Sequence, residues 1–326
     1  MRVLVTGAGG YIGSITVERL IEAGHDVVAL DSLQRGHRQA IHPDAEFVEV
    51  DLRDAGAVVD ALAPRRLEAI CHFAALHLVP ESVEQPAAYY RNNILGGLNL
   101  LDAAREAEIP RFVFSSTAAV YGEPESSPIF ESALKLPINP YGRTKWMIEQ
   151  ILEDYSARYP IHYAAFRFFN VAGATAERGE DHRPETHVIP LALQVLQGKR
   201  PVFKIMGTDY LTPDGTAVRD YVHVSDLADA HILALAQLDS ASIGAMNLGT
   251  MGGYSVREIA DAVSRVVGRE LPVEDAPRRA GDPAALVADP ARALNELGWN
   301  PQQSNLDDMI GSAWDWMNRY PNGYVD

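Results

Sequence analysis

Tyr141 and Lys145, in Tyr141-Gly142-Arg143-Thr144-Lys145, stand four residues apart and share one face of any helix that carries them. A phenol with an ordinary pKa near 10 is a poor base at neutral pH. An ammonium beside it favours the phenolate and makes the tyrosine a usable acid or base toward a hydroxyl proton. Alone, the pair reads as a half-buried tyrosine and a solvated lysine on a surface helix. It is not alone: the apolar run Arg111-Phe112-Val113-Phe114-Ser115 continues into Ser116-Thr117-Ala118-Ala119-Val120-Tyr121-Gly122. That puts hydroxyls at the end of a strand, the edge at which open parallel sheets bind ligands.

A second constellation opens the chain. Gly7, Gly10 and Gly13 directly follow the run Val3-Leu4-Val5 and begin a helical stretch. Glycines there allow a tight turn and let backbone N–H groups and a helix N-terminus approach a pyrophosphate. The spacing departs from G-x-G-x-x-G, because Ile12 holds the third glycine's place. Asp31 ends the second apolar run 18 positions after Gly13, close to where an acid meets a ribose diol in dinucleotide sites. Such a carboxylate repels a 2′-phosphate and favours NAD over NADP, a preference that the neighbouring Arg35 and Arg38 soften. Asp51 either reaches the adenine edge or caps the next helix. Glycine loop, ribose acid, hydroxyl-bearing strand end and Tyr/Lys helix follow one another in the order of a nucleotide-dependent redox site.

The elements that must position these residues are short β-branched runs alternating with longer helical stretches. Helices are expected from about Tyr11 to Ala23, near Asp54 to Leu62, from about Ala87 to Ala107 and from about Tyr141 onward. Strands are expected at Asp26 to Leu30, Phe47 to Val50, Ala69 to Phe73, Arg111 to Ser115 and Ile161 to Arg167. This spacing predicts an α/β fold, a Rossmann-type doubly wound parallel sheet with a smaller α/β C-terminal substrate lobe. The boundary is placed near 170, giving a nucleotide-binding domain at 1–170 and a second lobe at 171–326. A segment around 219–237 is expected to return to the first sheet. Residues 173–185 read as a loop, and 306–320 as an amphipathic helix.

Composition narrows the function classes. The 326 residues carry 28 Lys plus Arg against 44 Asp plus Glu, a formal charge of −16, which disfavours nucleic-acid and anionic-membrane partners. The one cysteine, Cys71, lies in an apolar run and excludes an intramolecular disulfide framework, so a reducing compartment is expected. No apolar run approaches the roughly 18 residues that span a bilayer. The first residues run straight into the glycine loop without a signal-peptide pattern. The expected location is cytoplasmic.

The chain resembles the extended short-chain dehydrogenase/reductase superfamily and, within it, the UDP-glucose 4-epimerase (UDP-galactose 4-epimerase) family, over nearly its whole length. The markers are Gly7 to Gly13, Asp31-Ser32-Leu33, His72-Phe73-Ala74-Ala75, Glu81-Ser82-Val83, Tyr89 to Asn93, Ser115 to Gly122, Asn139 to Lys145 and Arg167 to Asn170. In the second lobe they are Gly207 to Tyr210, Asp214 to Val224 and Pro277 to Asp282. The resemblance implies reversible oxidation at C4 of a UDP-hexose by tightly bound NAD, through a 4-keto sugar that turns over in the pocket. Tyr141 would exchange the 4-hydroxyl proton, Thr117 would hydrogen-bond the reacting oxygen, and Lys145 would tune the tyrosine and reach the cofactor ribose. It assigns the cofactor to Gly7, Gly10, Tyr11, Ile12, Gly13, Asp31, Asp51, Leu52, Phe73, Ala74, Ala75, Asn92, Ser115, Tyr141, Lys145 and Phe168. It assigns the UDP-sugar to Thr117, Tyr141, Asn170, His187, Lys204, Met206, Arg219, Arg279, Asp282 and Leu286. Asn93 would steady the site, unless it merely caps a helix start. The resemblance also implies a homodimer paired through the helices near 87–107 and 141–158.

Three positions depart from the family pattern. His77 stands where many relatives have lysine, His187 where they often have asparagine, and Phe168 where tyrosine is common. Leu286, at the gate of the sugar pocket, is of intermediate bulk, which predicts poor turnover of N-acetylhexosamines. A sugar-nucleotide 4,6-dehydratase would need an acid after Thr117, where Ala118 and Ala119 stand. A UDP-pentose or UDP-uronate 4-epimerase would use the same catalytic set. A dinucleotide sensor would need no Thr117, Tyr141 and Lys145 together. No metal is expected, since His182 and His187 lack ligand partners at a recognisable spacing.

Overall fold

The computed structural model describes residues 1–278 and 282–325. Its centre is a parallel sheet built from β1 (Arg2–Thr6), β2 (Asp26–Asp31), β3 (Glu46–Glu49), β4 (Ala69–His72), β5 (Arg111–Thr117) and β6 (His162–Phe168). The helices that follow these strands are α1 (Tyr11–Glu22), α2 (Ala55–Leu62), α3 (Val79–Glu84), α4 (Pro86–Tyr89), α5 (Gly96–Glu106) and α6 (Pro140–Arg158). The long helix expected near 87–107 is interrupted, because Tyr90–Leu95 winds as a π-helical stretch between α4 and α5.

Beyond Phe168 come β7 (Asn170–Ala172), α7 (Val188–Leu196), β8 (Phe203–Met206), β9 (Val218–Arg219), β10 (Tyr221–His223), α8 (Val224–Gln237) and β11 (Gly244–Leu248). They are followed by β12 (Tyr254–Ser255), α9 (Val256–Val267), β13 (Val273–Ala276), β14 (Ala285–Leu286) and α10 (Leu306–Arg319). The central strand order is β11-β6-β5-β4-β1-β2-β3, with every pairing parallel. The order reverses at β1, which lies between β2 and β4, and ligands bind at the carboxyl ends of strands at such a switch point. The chain comes back to this sheet through α8, packed on α1, and through β11 paired with β6. Residues 173–187 form no regular element, as the lack of periodicity predicts.

Alternate residues of each strand feed opposite cores. Val3, Val5, Ala29, Cys71, Val113 and Phe166 pack with Leu20 of α1 and Leu227 and Ala234 of α8. Leu4, Val28, Ile70, Phe112 and Phe114 pack with Val58 of α2, Leu101 of α5 and Leu152 of α6. A sheet covered on both faces explains the nearly unbroken apolar runs. A third core joins α7, α9 and α10 in the second lobe. Cys71 is fully buried and burial pushes its thiol pKa up, consistent with a packing role. No described helix is long and apolar enough to cross a membrane.

Two core histidines make stability depend on pH. His72 accepts or donates a 2.7 Å hydrogen bond with the Thr6 hydroxyl, and His231 bonds the Leu227 carbonyl at 2.8 Å between the rings of Phe73 and Phe166. Burial pushes their pKa values down to about 3 and about 4. The unfolded chain takes up these protons near pH 6.5 while the native state refuses them, so stability falls as pH drops from about 6.5 toward 4. Each group contributes about 1.4 kcal/mol per pH unit in that window. Urea midpoints of His231→Gln across pH 7 to 5 are expected to fall less steeply than those of the parent chain; equal slopes would refute the account.

Candidate active site

The end of β5 and the start of α6 meet where the sequence placed the chemistry. The Asn139 side chain caps α6 by accepting from the Gly142 N–H at 2.8 Å, and Pro140 occupies the first turn. A Cβ on Gly142 would lie 2.6 Å from the Ala119 carbonyl oxygen, so glycine lets the Thr117–Tyr121 turn approach the helix. Tyr141, Lys145 and Glu149 then descend one face of α6. The Thr117 hydroxyl lies beside the Tyr141 phenol, where it favours the ionised form. Lys145 Nζ donates to the Ser115 carbonyl at 2.6 Å and stands 4.9 Å from the Phe114 ring centre and 6.0 Å from that of Tyr141.

The electrostatics correct the sequence expectation. Burial pushes Tyr141 up to about 12, against the opposing Thr117 hydrogen bond, and pushes Lys145 down to about 7, with Glu149 pulling the other way. In the chain by itself the lysine therefore does not lower the phenol. Its ammonium faces the Ser115 carbonyl, and burial is the largest influence on each group.

Below them lies a buried polar network that sequence reasoning missed. Glu149 binds Arg167 through Nε at 3.0 Å and Nη2 at 2.6 Å, and accepts from the Ser116 hydroxyl. Arg167 Nη1 donates to Tyr121 Oη at 3.0 Å, which donates to Asn247 Oδ1 at 2.6 Å. The fourfold step from Tyr141 through Lys145 to Glu149 was the available signal. Phe168 pairs with Thr117 across the sheet and lies in the core at the same edge.

The glycine loop is shaped by contact. Gly7 has φ +71°, and a Cβ there would lie 2.6 Å from the Ala74 nitrogen; one on Gly13 would lie 2.1 Å from the Gly7 carbonyl oxygen. Gly10 begins α1 and donates to the Gly7 carbonyl at 3.1 Å, while Ile12 packs partly buried behind it. Tyr11 is tied to the Gly173 carbonyl at 2.6 Å. Asp31 accepts from the Gly9 N–H at 2.9 Å and the Leu33 N–H at 2.8 Å, and burial pushes its pKa up. A backbone cradle at a helix N-terminus with a carboxylate ending β2 fits a dinucleotide.

Arg35 pairs with Glu81 and Arg38 lies over the Phe47 ring, so both cations near Asp31 have partners of their own. Asp51 does not cap the next helix: Asp54 does, accepting from the Ala57 N–H at 3.1 Å, while Asp51 pairs with Arg53. Leu52 packs on Gly96. Phe73 stacks on His231, and Ala74 and Ala75 continue the loop after β4. Asn92 donates to Asn93. Asn93 is no helix-start cap; it lies inside the π-helical stretch, exchanges bonds with both backbone groups of Leu76 and donates to Thr144, fastening the β4 loop to α6.

In the second lobe, Arg219 is buried rather than solvated and pairs with Asp282. Asn170 donates to the Asp220 carbonyl at 2.9 Å, while Lys204 is exposed and Met206 half-buried on β8. Leu286 pairs with Arg219 across β14 and β9 and packs against the cluster of Val120, Tyr121 and Ile129, beside the Thr117–Tyr121 turn. The Ile129 N–H bonds the Val287 carbonyl at 2.8 Å, which holds that strand against the first lobe. Arg279 lies outside the described residues.

His182 and His187 lack partners at a recognisable spacing along the sequence, but the fold gathers carboxylates around them. Glu180, His182, Glu185 and His187 bring their donor atoms within 4.8 Å of one another. His77 joins this group: its ring lies tilted 4.8 Å from that of His182, burial pushes its pKa down to about 3, and its Nε2 is buried. Glu180 holds His187 protonated, and the imidazoles in turn hold Glu180 far below the usual carboxylate range.

A doubly wound sheet with a glycine cradle at its switch point and a Thr/Tyr/Lys set at the next strand end defines a nucleotide-dependent enzyme of the short-chain dehydrogenase type. Residues 3–249 match the NAD dependent epimerase/dehydratase family, and the chain belongs to it. It is 46% identical to the UDP-glucose 4-epimerase of Lacticaseibacillus casei over 329 residues, covering 100% of this chain and 99% of that protein. The Lactobacillus helveticus UDP-glucose 4-epimerase is 47% identical, with 100% of each chain covered. The structure of the Brucella ovis UDP-glucose 4-epimerase in complex with NAD superposes with a TM-score of 0.93 at 46% identity, covering 96% of this chain and 97% of that one. The chain is an NAD-dependent epimerase.

Proposed function

We infer that the chain interconverts UDP-galactose and UDP-glucose by reversible oxidation at C4. The observation that carries this is the juxtaposition of Thr117 and Tyr141, with Lys145 anchored behind them on Ser115, at the strand end beside the glycine cradle. Tyr141 takes the proton of the sugar 4-hydroxyl and later returns it, and Thr117 hydrogen-bonds the reacting oxygen. Lys145, anchored on Ser115, places positive charge beneath the phenol. Bound NAD supplies the acceptor for the C4 hydride, the donor for its return to the opposite face, and in its oxidised form a positive charge that favours the phenolate. Asp31, Asp51, Asn92, the loop after β4 and Phe168 line the cofactor side.

The sugar must turn over while its diphosphate stays held. Arg219 and Arg279 suit paired contacts to phosphate oxygens, and Asn170 and His187 add donors. Asp282 takes the uridine ribose, with Lys204 and Met206 beside uracil. Arg219 and Asp282 are partners in the chain alone, so substrate exchanges that ion pair for contacts to itself. The cofactor lobe comprises residues 1–170 with the segment that returns to its sheet, α8 and β11, and the sugar-nucleotide lobe the remainder. Exposed Leu95 and Met147, on the two helices the resemblance assigns to pairing, support a homodimer. The working location is the cytoplasm.

The test is conversion of UDP-galactose to UDP-glucose by purified protein with no added reductant. Absence of interconversion, with or without added NAD, would point instead to a UDP-pentose or UDP-uronate. In the same assay UDP-N-acetylglucosamine is expected to turn over poorly, because Leu286 fills space against Tyr121; comparable rates would overturn that role.

A further inference from the structure

We propose that Tyr210 is a further binding residue for the UDP-sugar, its hydroxyl donating to the diphosphate beside Arg219. The assignment rests on the sugar-nucleotide reading and adds a donor which that reading does not contain.

The fold holds the ring from two sides. β8 and β13 run parallel as far as the Met206–Ala276 pair, and the Gly207 N–H donates to the Ala276 carbonyl at 2.8 Å, so 207–210 and 277–278 leave the two strands side by side. Gly207 turns with φ +92°, and a Cβ there would lie 2.6 Å from both Tyr210 Cε2 and Arg278 Cγ. Glycine thus lets the tyrosine ring and the arginine stem close over the end of β8. The Arg278 guanidinium lies 4.1 Å from the Tyr210 ring centre, and its Nε donates to Asp209 Oδ1 at 2.5 Å.

The same loop carries Tyr210 back toward Arg219. The Tyr210 N–H donates to the Gly215 carbonyl at 2.8 Å, and the Thr212 hydroxyl donates to the Thr216 carbonyl at 2.7 Å. Residues 210–216 are closed on themselves in this way, and the chain runs directly on into β9, which bears Arg219. Arg219 and Asp282 stand near enough for both charges to act on the Tyr210 phenol.

A ring packed between Gly207 and Arg278 has no use for a hydroxyl. Yet Tyr210 is 6% exposed, and its Oη is buried without a hydrogen-bond partner among the described residues. Buried hydroxyls are normally paired, because an unpaired one forfeits the bonds that water would have made. Asp282, the acceptor whose charge reaches the phenol, is already taken by Arg219. A bound diphosphate breaks that pairing by drawing Arg219 to itself, and it brings oxygens that accept from the phenol. Burial, the largest influence, pushes the phenol pKa up, so at neutral pH the group keeps its proton and meets an anion as a donor.

NAD-loaded parent and Tyr210→Phe enzymes are titrated calorimetrically with UDP and with uridine, and melted without nucleotide. The variant should bind UDP about 10- to 100-fold more weakly, the worth of one hydrogen bond to a charged group. Uridine, which lacks the diphosphate, should bind both proteins alike. The melting temperature of the free variant should equal or exceed that of the parent, since the oxygen removed has no partner there; a hydroxyl with a structural role would lower it. With UDP-galactose the change should appear in KM, with kcat near the parent value. Equal UDP affinities, an equal loss of uridine binding, or a less stable free variant would overturn the assignment and leave the sugar-nucleotide reading standing. A parent enzyme that binds no UDP would overturn both.

Discussion

Tyr141→Phe is expected to lower UDP-galactose conversion about 10²- to 10⁴-fold, the span that positioned proton transfer contributes, while the protein still folds and retains NAD. Phenylalanine keeps the ring that packs on α6 and removes only the hydroxyl. The Thr117 oxygen still accepts from the Ala119 N–H at 3.2 Å, which keeps the side chain in place. The loss should therefore fall on kcat, with KM for the UDP-sugar nearly unchanged, because the residues proposed to hold the diphosphate, Arg219 and Arg279, are not altered. Initial rates, bound-nucleotide absorbance and a melting curve together decide it. A variant with full activity would remove Tyr141 from the mechanism.

The largest stability effect is expected at Glu149. Glu149→Gln leaves the Arg167 guanidinium charged and 4% exposed, with its carboxylate partner gone. Breaking one side of a buried ion pair costs about 3–5 kcal/mol, a large share of the roughly 5–15 kcal/mol that holds a domain folded. Urea unfolding should register that shift. Glu149→Met combined with Arg167→Met should recover much of it, because both charges are then absent. A double variant as unstable as the sum of the singles would show that the pair itself contributes little. The same substitution at Glu149 removes the carboxylate that opposes the depression of Lys145, linking the fold's buried charge to the catalytic helix.

Features governed by short-range rules were legible. Gly7 and Gly13 are dictated by a turn whose walls are backbone atoms of its own loop and the next strand's end. Asp31 was identified by its place at the end of β2. Tyr141 and Lys145 share a face because a helix repeats every 3.6 residues. The buried strands were readable because each must be apolar on both sides. The π-helical break at Tyr90–Leu95 was not, since it depends on Asn93 reaching Leu76 and Thr144 on two other segments.

The sequence by itself therefore determined the architecture, the glycine turn that opens α1 and the shared helix face of Tyr141 and Lys145. Tertiary structure alone decided the sign of the Tyr141 shift, because desolvation depends on what surrounds a group in space and here outweighs the neighbouring Thr117 hydroxyl. It also decided the Glu149–Arg167–Tyr121–Asn247 network, the Arg219–Asp282 pair and the convergence of His77 on His182 and His187. Each joins residues far apart in the chain through contacts a few ångströms long, and no local periodicity records a contact that only chain folding brings about.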